Sequence, residues 1–302
     1  MATGTGRYGA HMATPAQWIS GARPRTLPAA VAPVLVGTGA AVALGAAHLG
    51  RALAALVVSL ALQVGVNYAN DYSDGIRGTD DNRLGPFRLT GSGAATPGSV
   101  KRAAFAAFGV AGATGTGLVA VSGAWWLLGL GVASILAAWY YTGGRRPYGY
   151  AGMGELFVFV FFGLVAVLGT VFTQTLRLSP AAWLGALGVG ALACALLMAN
   201  NLRDAPTDAS AGKYTLAVRL GTTATRYGYA SLVAVAILTA PLVALVVWSL
   251  WPLLGLAAVP AALAPLRAVL GGADGHELLP VLRDTGRLEL VYAIGLGLGL
   301  AL

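Results

Sequence analysis

Charge is what this chain has least of. Of its 302 residues only 10% are Asp, Glu, Lys or Arg, where a soluble domain carries roughly 25%. So few ionic groups cannot coat a water-exposed globule, which leaves lipid as the solvent. Cysteine is nearly absent as well. The single Cys194 sits inside an apolar run, which excludes a disulfide framework and any cysteine-rich metal site. Of the three histidines, His48 and His276 stand apart from any partnered motif. Residues 1–17 lack the apolar core of a signal peptide, and residues 1–15 carry no functional weight in this reading.

What is present is hydrophobic: 57% of the chain, with a mean hydropathy of +0.73. Forty-three glycines suit close helix approach in a bilayer. Apolar runs long enough for about 30 Å of hydrocarbon fall near 27–46, 52–70, 103–121, 123–142, 156–176, 180–202, 227–248 and 251–270, with a shorter ninth near 286–302 that contains Glu289. Lipid admits only helices or closed barrels. The runs are continuous rather than alternating, so the expected fold is an all-α integral membrane protein, a bundle of about nine transmembrane helices. Residues 1–26 are expected to form a cytoplasmic N-terminal segment and 27–302 a single transmembrane domain, with polar motif loops at about 67–101 and 200–226.

Basic residues orient the bundle. Seventeen of the nineteen Lys and Arg residues precede the first run or fall in the even loops, and only Arg51 and Arg177 lie on the other side. The positive-inside rule then puts the N-terminus and the even loops in the cytoplasm, in a plasma-membrane, multi-pass protein. The net charge of +8 therefore reports topology and gives no reason to expect nucleic acid as a partner. Nine of the eleven acidic residues lie in those same loops, and Glu155 and Glu289 sit at span ends beside them. The chemistry is expected to face the cytoplasm.

Two acidic motifs carry it. In the first, Asn67, Asn70, Asp71 and Asp74 share one helix face if the second span continues to Asp74. Carboxylates so crowded repel each other and oppose the dipole at a helix C-terminus. A cation relieves both penalties, and oxygen-only ligands favour magnesium. In the second, Asn201, Asp204 and Asp208 repeat the helical spacing after the sixth span, with Asn200 beside them, although Pro206 is a candidate to end or bend that helix. Two such clusters on one membrane face can hold two magnesium ions. With cationic clamps they make a diphosphate site, for which Arg23, Arg25, Arg77, Arg83 and Lys213 are candidates. Trp125, Trp126, Trp139 and Tyr141 read as interfacial belts.

The paired motifs resemble those of the UbiA-type membrane prenyltransferases. Asn70, Asp71 and Asp74 match that family's first motif, and Asp204 and Asp208 its second. A further Asp that relatives carry is Gly78 here, with Asp80 as its candidate substitute, and Asn201 stands where many relatives have Asp. Segments 18–37, 70–93, 142–163 and 200–221 are similar to the branch acting on 1,4-dihydroxy-2-naphthoate in menaquinone synthesis. That resemblance implies a nine-helix UbiA-like bundle and the metal ligands Asn70, Asp71, Asp74, Asp80, Asp204 and Asp208. It also implies magnesium-dependent transfer of a polyprenyl chain from polyprenyl diphosphate to dihydroxynaphthoate, with decarboxylation to demethylmenaquinol. The branch-like loop adds Arg145 and Tyr148 as substrate-binding candidates. Two alternatives stay open: a prenyltransferase for another acceptor, and a cation-coupled transporter whose acidic residues bind ions.

Overall fold

The computed structural model describes residues 13–79 and 87–302. Among them every regular element is helical. A short helix α1 (Pro15–Ala22) leads into α2 (Pro28–Ala43), then α3 (Leu49–Arg77), α4 (Pro97–Ser122) and α5 (Leu127–Tyr140). The next span is composite: α6 (Gly154–Val158), a π-helical stretch Phe159–Val165, and α7 (Ala166–Thr175). It is followed by α8 (Pro180–Ser210), α9 (Leu216–Val247), α10 (Val259–Leu270), which a 3-10 turn Trp251–Ala258 precedes, and α11 (Leu278–Ala301).

Local chemistry explains the ends. Thr96 and Ser179 accept hydrogen bonds from the backbone of the first turns of α4 and α8, each with proline at the first helical position. Gly78 and Gly123 close α3 and α4 with positive φ, as a C-terminal glycine does. Among the described residues six helices are long and apolar enough to cross a membrane, and α1 with α2, bent by 51°, makes a seventh if the pair is one span. At fourteen residues α5 is short, and α11 carries Arg283, Asp284, Arg287 and Glu289 in its first half. The ninth helix thus starts eight residues before the apolar run that announces it.

Burial singles out the scaffold. In α8, 72% of the apolar stretch is inside the protein, against 22–33% for the other single spans. It packs on α9, α11 and α2, with Ala186, Val189, Leu192 and Ala195 meeting Tyr229, Val233, Tyr292 and Leu296 in the main core. A second cluster ties α1 to α3, where the Trp18 and Tyr68 rings meet edge to face and the Tyr68 hydroxyl donates to the Trp18 carbonyl at 2.9 Å. Together these clusters hold the C-terminal ends of α3 and α8 at one end of the bundle.

Candidate active site

The first motif lies on one continuous helix, since α3 runs to Arg77. Its polar residues nonetheless do different jobs. Asp71 is buried, and its two carboxylate oxygens accept from the backbone N–H groups of Leu89 and Thr90 at 2.7 and 2.8 Å. That grip folds the segment around 87–93 over the end of α3 and brings Arg88 to Asp74, at 3.4 Å. The Tyr150 hydroxyl donates to the other Asp74 oxygen at 2.8 Å. Asn67 donates to the Ala22 carbonyl and to Thr26, bracing the bend between α1 and α2.

The second motif also stays helical. Pro206 lies inside α8, which continues to Ser210, so the expected break does not occur. The Thr207 hydroxyl bonds back to the Asp204 carbonyl at 2.9 Å, and the Lys213 N–H closes the end on the Asp208 carbonyl at 2.8 Å. Arg203 grips both Asp204 oxygens at 2.7 and 2.8 Å and reaches Asn200 at 2.8 Å. Lys213 pairs with Asp208 at 3.3 Å.

The loop between α5 and α6 joins the two motifs. Its Tyr150 binds Asp74 through the hydroxyl and receives the Tyr214 N–H on its carbonyl at 3.0 Å, while the Arg77 and Lys213 cations lie over its ring. Arg77 donates to the Thr142 and Gly144 carbonyls, and Thr142 donates to Asn70 at 2.8 Å. Burial, and then the nearby Asp74 charge, push the Tyr150 phenol above its ordinary pKa; burial does the same to Tyr148.

These contacts surround a cavity of about 450 Å³. One end is cationic and hydrogen-bonding, lined by Arg23, Arg25, Arg88, Arg203 and Lys213 with Asn67, Asn70, Asp74 and Asn200. Arg23 holds a left-handed backbone (φ 55°) at the turn after α1, a conformation that costs a non-glycine residue energy. Beyond that end the walls turn apolar, with Val58, Leu62, Ile135, Phe161, Phe162 and Leu197. The rings of Tyr148 and Phe157 stack at 4.0 Å along this wall. On α3 the lining runs from Ala55 to Asp74, about 28 Å at 1.5 Å per residue, close to a bilayer's hydrocarbon thickness.

The structure therefore sorts the expected residues. Arg25, Asn67, Asn70, Asp74, Tyr148, Asn200 and Lys213 line the cavity. Asp71, Asp204 and Asp208 are buried just behind its cationic end, each held by a named partner. Asn201 faces away and donates to Glu155 at 2.9 Å, tying α8 to α6. Arg77 serves the loop, and Arg145 is exposed off the cavity wall. Asp80 and Arg83 lie outside the described residues. Four contributors were not among the candidates: Arg88, Arg203, Tyr141 and Tyr150. Arg203 was readable, since it stands inside the second motif. Tyr141, expected in an interfacial belt, instead lines the cavity beside Tyr148. Among the described residues no three His, Cys, Asp or Glu side chains converge as a ready metal site. The donors that face the cavity are carboxylate and amide oxygens with no His or Cys, a set that suits magnesium in kind.

Comparisons with known proteins agree with this architecture. The chain is 56% identical to 1,4-dihydroxy-2-naphthoate octaprenyltransferase of Mycobacterium tuberculosis over 96% of its own length and 98% of the relative's. It is 39% identical to the Escherichia coli protein of the same name, covering 92% and 94% of the two chains. A solved UbiA homologue from Archaeoglobus fulgidus, bound to DMAPP and Mg2+, shares the fold with a TM-score of 0.64 at 15% identity, over 94% of this chain and 99% of that one. An apo homologue from Aeropyrum pernix K1 gives 0.69 at 15% identity, covering 90% and 96%. Residues 30–276 match the pattern of the UbiA prenyltransferase family, and with that match, the two relatives and the motif-lined cavity, the chain is a membrane enzyme belonging to that family.

Proposed function

We propose that this enzyme transfers a polyprenyl chain from its diphosphate to 1,4-dihydroxy-2-naphthoate, with loss of the ring carboxylate, giving demethylmenaquinol for menaquinone synthesis. The observation that carries the reading is the cavity, cationic at one end and apolar along the rest. Its chemistry is that of a diphosphate head on a long hydrocarbon tail. The names of relatives that match over nearly the whole chain support dihydroxynaphthoate as the acceptor.

Arg88, Arg203 and Lys213, with Arg25 at the mouth, bind the diphosphate and take up the charge that grows on it as it leaves. Arg203 is pre-aimed by its two bonds to Asp204, and Lys213 by Asp208. The allylic C–O bond breaks, its electron pair departing with the diphosphate. The ring carbon bearing the carboxylate supplies the electrons of the new C–C bond. Carbon dioxide then leaves, and the electrons of its bond restore the aromatic ring. The apolar wall around Phe157, Phe161 and Leu197 keeps water from the allylic cation. Tyr148, Asn67 and Asn200 position the reactants at the cationic end.

Asn70, Asp74, Asp204 and Asp208 would hold magnesium, one ion for each motif, and the metal would supply neutralisation of the diphosphate charge. Asp71 acts one step back, by holding the segment that carries Arg88. Seventeen of nineteen basic residues on one side orient the site toward the cytoplasm of a plasma-membrane protein.

The test is turnover by purified protein in detergent with dihydroxynaphthoate, octaprenyl diphosphate and magnesium, against an EDTA control. Demethylmenaquinol and carbon dioxide formed in equal amounts, only with magnesium, is the expected result. Consumption of the diphosphate only with a different aromatic acceptor would overturn the acceptor.

A further inference from the structure

In a bundle of membrane helices, glycine lets backbones approach one another, and several glycines here do so. A Cβ built at Gly163 would fall 2.7 Å from the Cα of Gly190, and one at Gly37 would fall 2.8 Å from the Val167 carbonyl oxygen. Gly131 on α5 and Gly169 on α7 differ, because a Cβ at either meets nothing within 4 Å. Neither has a positive φ, so neither is held as glycine by its backbone. Glycine inside a helix is less favourable than alanine, and here no close contact offsets that cost.

Both residues line the cavity away from its cationic end. Gly131 lies ten residues before Tyr141, about 15 Å of helix. Gly169 lies twelve residues beyond Phe157 along the composite span. Beside Gly131, the lining residues Leu128 and Val132 are exposed, as is Thr116 of α4. The cavity is therefore open, not closed off by packed side chains, at the level of Gly131.

We propose that Gly131 and Gly169 set the bore of the distal half of the cavity and with it the length of prenyl chain that the enzyme accepts. Their missing side chains leave the space through which the far isoprene units of a long donor pass, while a short donor ends before reaching it. The inference rests on the prenyl-transfer reading above.

The experiment compares kcat/KM for octaprenyl and geranyl diphosphates, with dihydroxynaphthoate as acceptor, in the wild type, Gly131→Leu and Gly169→Leu. Gly117→Leu is the control: Gly117 also has open space around it but lies on the outside of α4, off the cavity wall. In the two cavity variants the octaprenyl-to-geranyl ratio of kcat/KM should drop about tenfold or more, and in Gly117→Leu it should stay at the wild-type value. Equal loss with both donors, or an unchanged ratio in both cavity variants, overturns the proposal while leaving the activity of the wild type in place. A wild type that uses neither donor overturns the prenyl-transfer reading and this inference with it.

Discussion

Asp71 and Asp74 are three residues apart on one helix, yet their removal should produce opposite failures. Asp71 is 1% exposed and accepts two backbone N–H bonds, at 2.7 and 2.8 Å, from Leu89 and Thr90. Asparagine offers one oxygen in place of two. Asp71→Asn therefore keeps one bond, loses one charge-assisted bond and turns an NH2 toward a buried N–H. A bond to a charged group is worth about 1.5–3 kcal/mol, and an orphaned buried donor costs about 1–3 kcal/mol. Counting the overlap between the two, the loss is about 2–4 kcal/mol, which lowers a thermal midpoint by on the order of 10 °C. Asp74→Asn keeps an oxygen for the Tyr150 hydroxyl and gives up only a long contact to Arg88, at 3.4 Å. Arg88 and Asp74 both line the cavity, where water can take up the freed guanidinium charge, so the loss should stay below the about 3–5 kcal/mol of a sealed buried pair and below that of Asp71→Asn, while kcat/KM falls by about a hundredfold or more because a charge facing the cavity is gone. The assay is a thermal melt in detergent run beside turnover. An inactive Asp71→Asn that melts with the wild type would refute the clamp and put Asp71 in contact with the substrate or metal.

Two further outcomes follow from the same geometry. Arg203→Lys retains charge but cannot hold both oxygens of Asp204 and reach Asn200 together; kcat/KM should drop by about tenfold to a hundredfold in steady-state assays, with the protein still inserted in membrane. Tyr150→Phe removes the donor on Asp74, and because the phenol is held above its ordinary pKa, it stays protonated where a free tyrosine begins to ionise. Wild-type rate profiles should therefore show no fall assignable to Tyr150 below about pH 10. A basic limb that Tyr150→Phe abolishes would contradict this.

Much of the architecture was legible because membrane spans announce themselves by composition. The helical spacing of Asn67, Asn70, Asp71 and Asp74 was legible too, since α3 carries on unbroken to Arg77. Which member of that face meets the cavity was not legible. It depends on the segment around 87–93 folding back onto Asp71, and no local pattern marks Arg88 as the residue delivered to Asp74. Asn200 and Asn201 show the same limit, for neighbours on a helix point about 100° apart and only packing decides that Asn200 lines the cavity while Asn201 binds Glu155. Pro206 misled because proline removes one donor from a helix, whereas the end of α8 is held by several other bonds. The start of α11 was hidden because Arg283, Asp284 and Arg287 interrupt the apolar pattern just after its first turn, and helices extend beyond their apolar stretch.

The pairing of acids with bases has a thermodynamic consequence. Asp74 with Arg88, Asp204 with Arg203 and Asp208 with Lys213 are buried ion pairs. Buried charge is tolerated only when compensated, so these three carboxylates and three cations balance one another within the protein. A diphosphate that draws Arg88, Arg203 and Lys213 toward itself leaves the three carboxylates short of positive charge, and a divalent cation makes up that shortfall. Either ligand alone upsets the balance, and the two together restore it. Binding of prenyl diphosphate and of magnesium should therefore be positively coupled, each tightening the other by the same factor. A coupling of about 1–3 kcal/mol corresponds to roughly 5–150-fold in Kd. Titrating a non-hydrolysable prenyl diphosphate analogue by calorimetry, at zero and at saturating magnesium, measures the factor, and the reverse titration must return it. Affinities for the analogue that do not depend on magnesium would mean that the acids keep their basic partners throughout and that the diphosphate is bound by Arg23 and Arg25 instead.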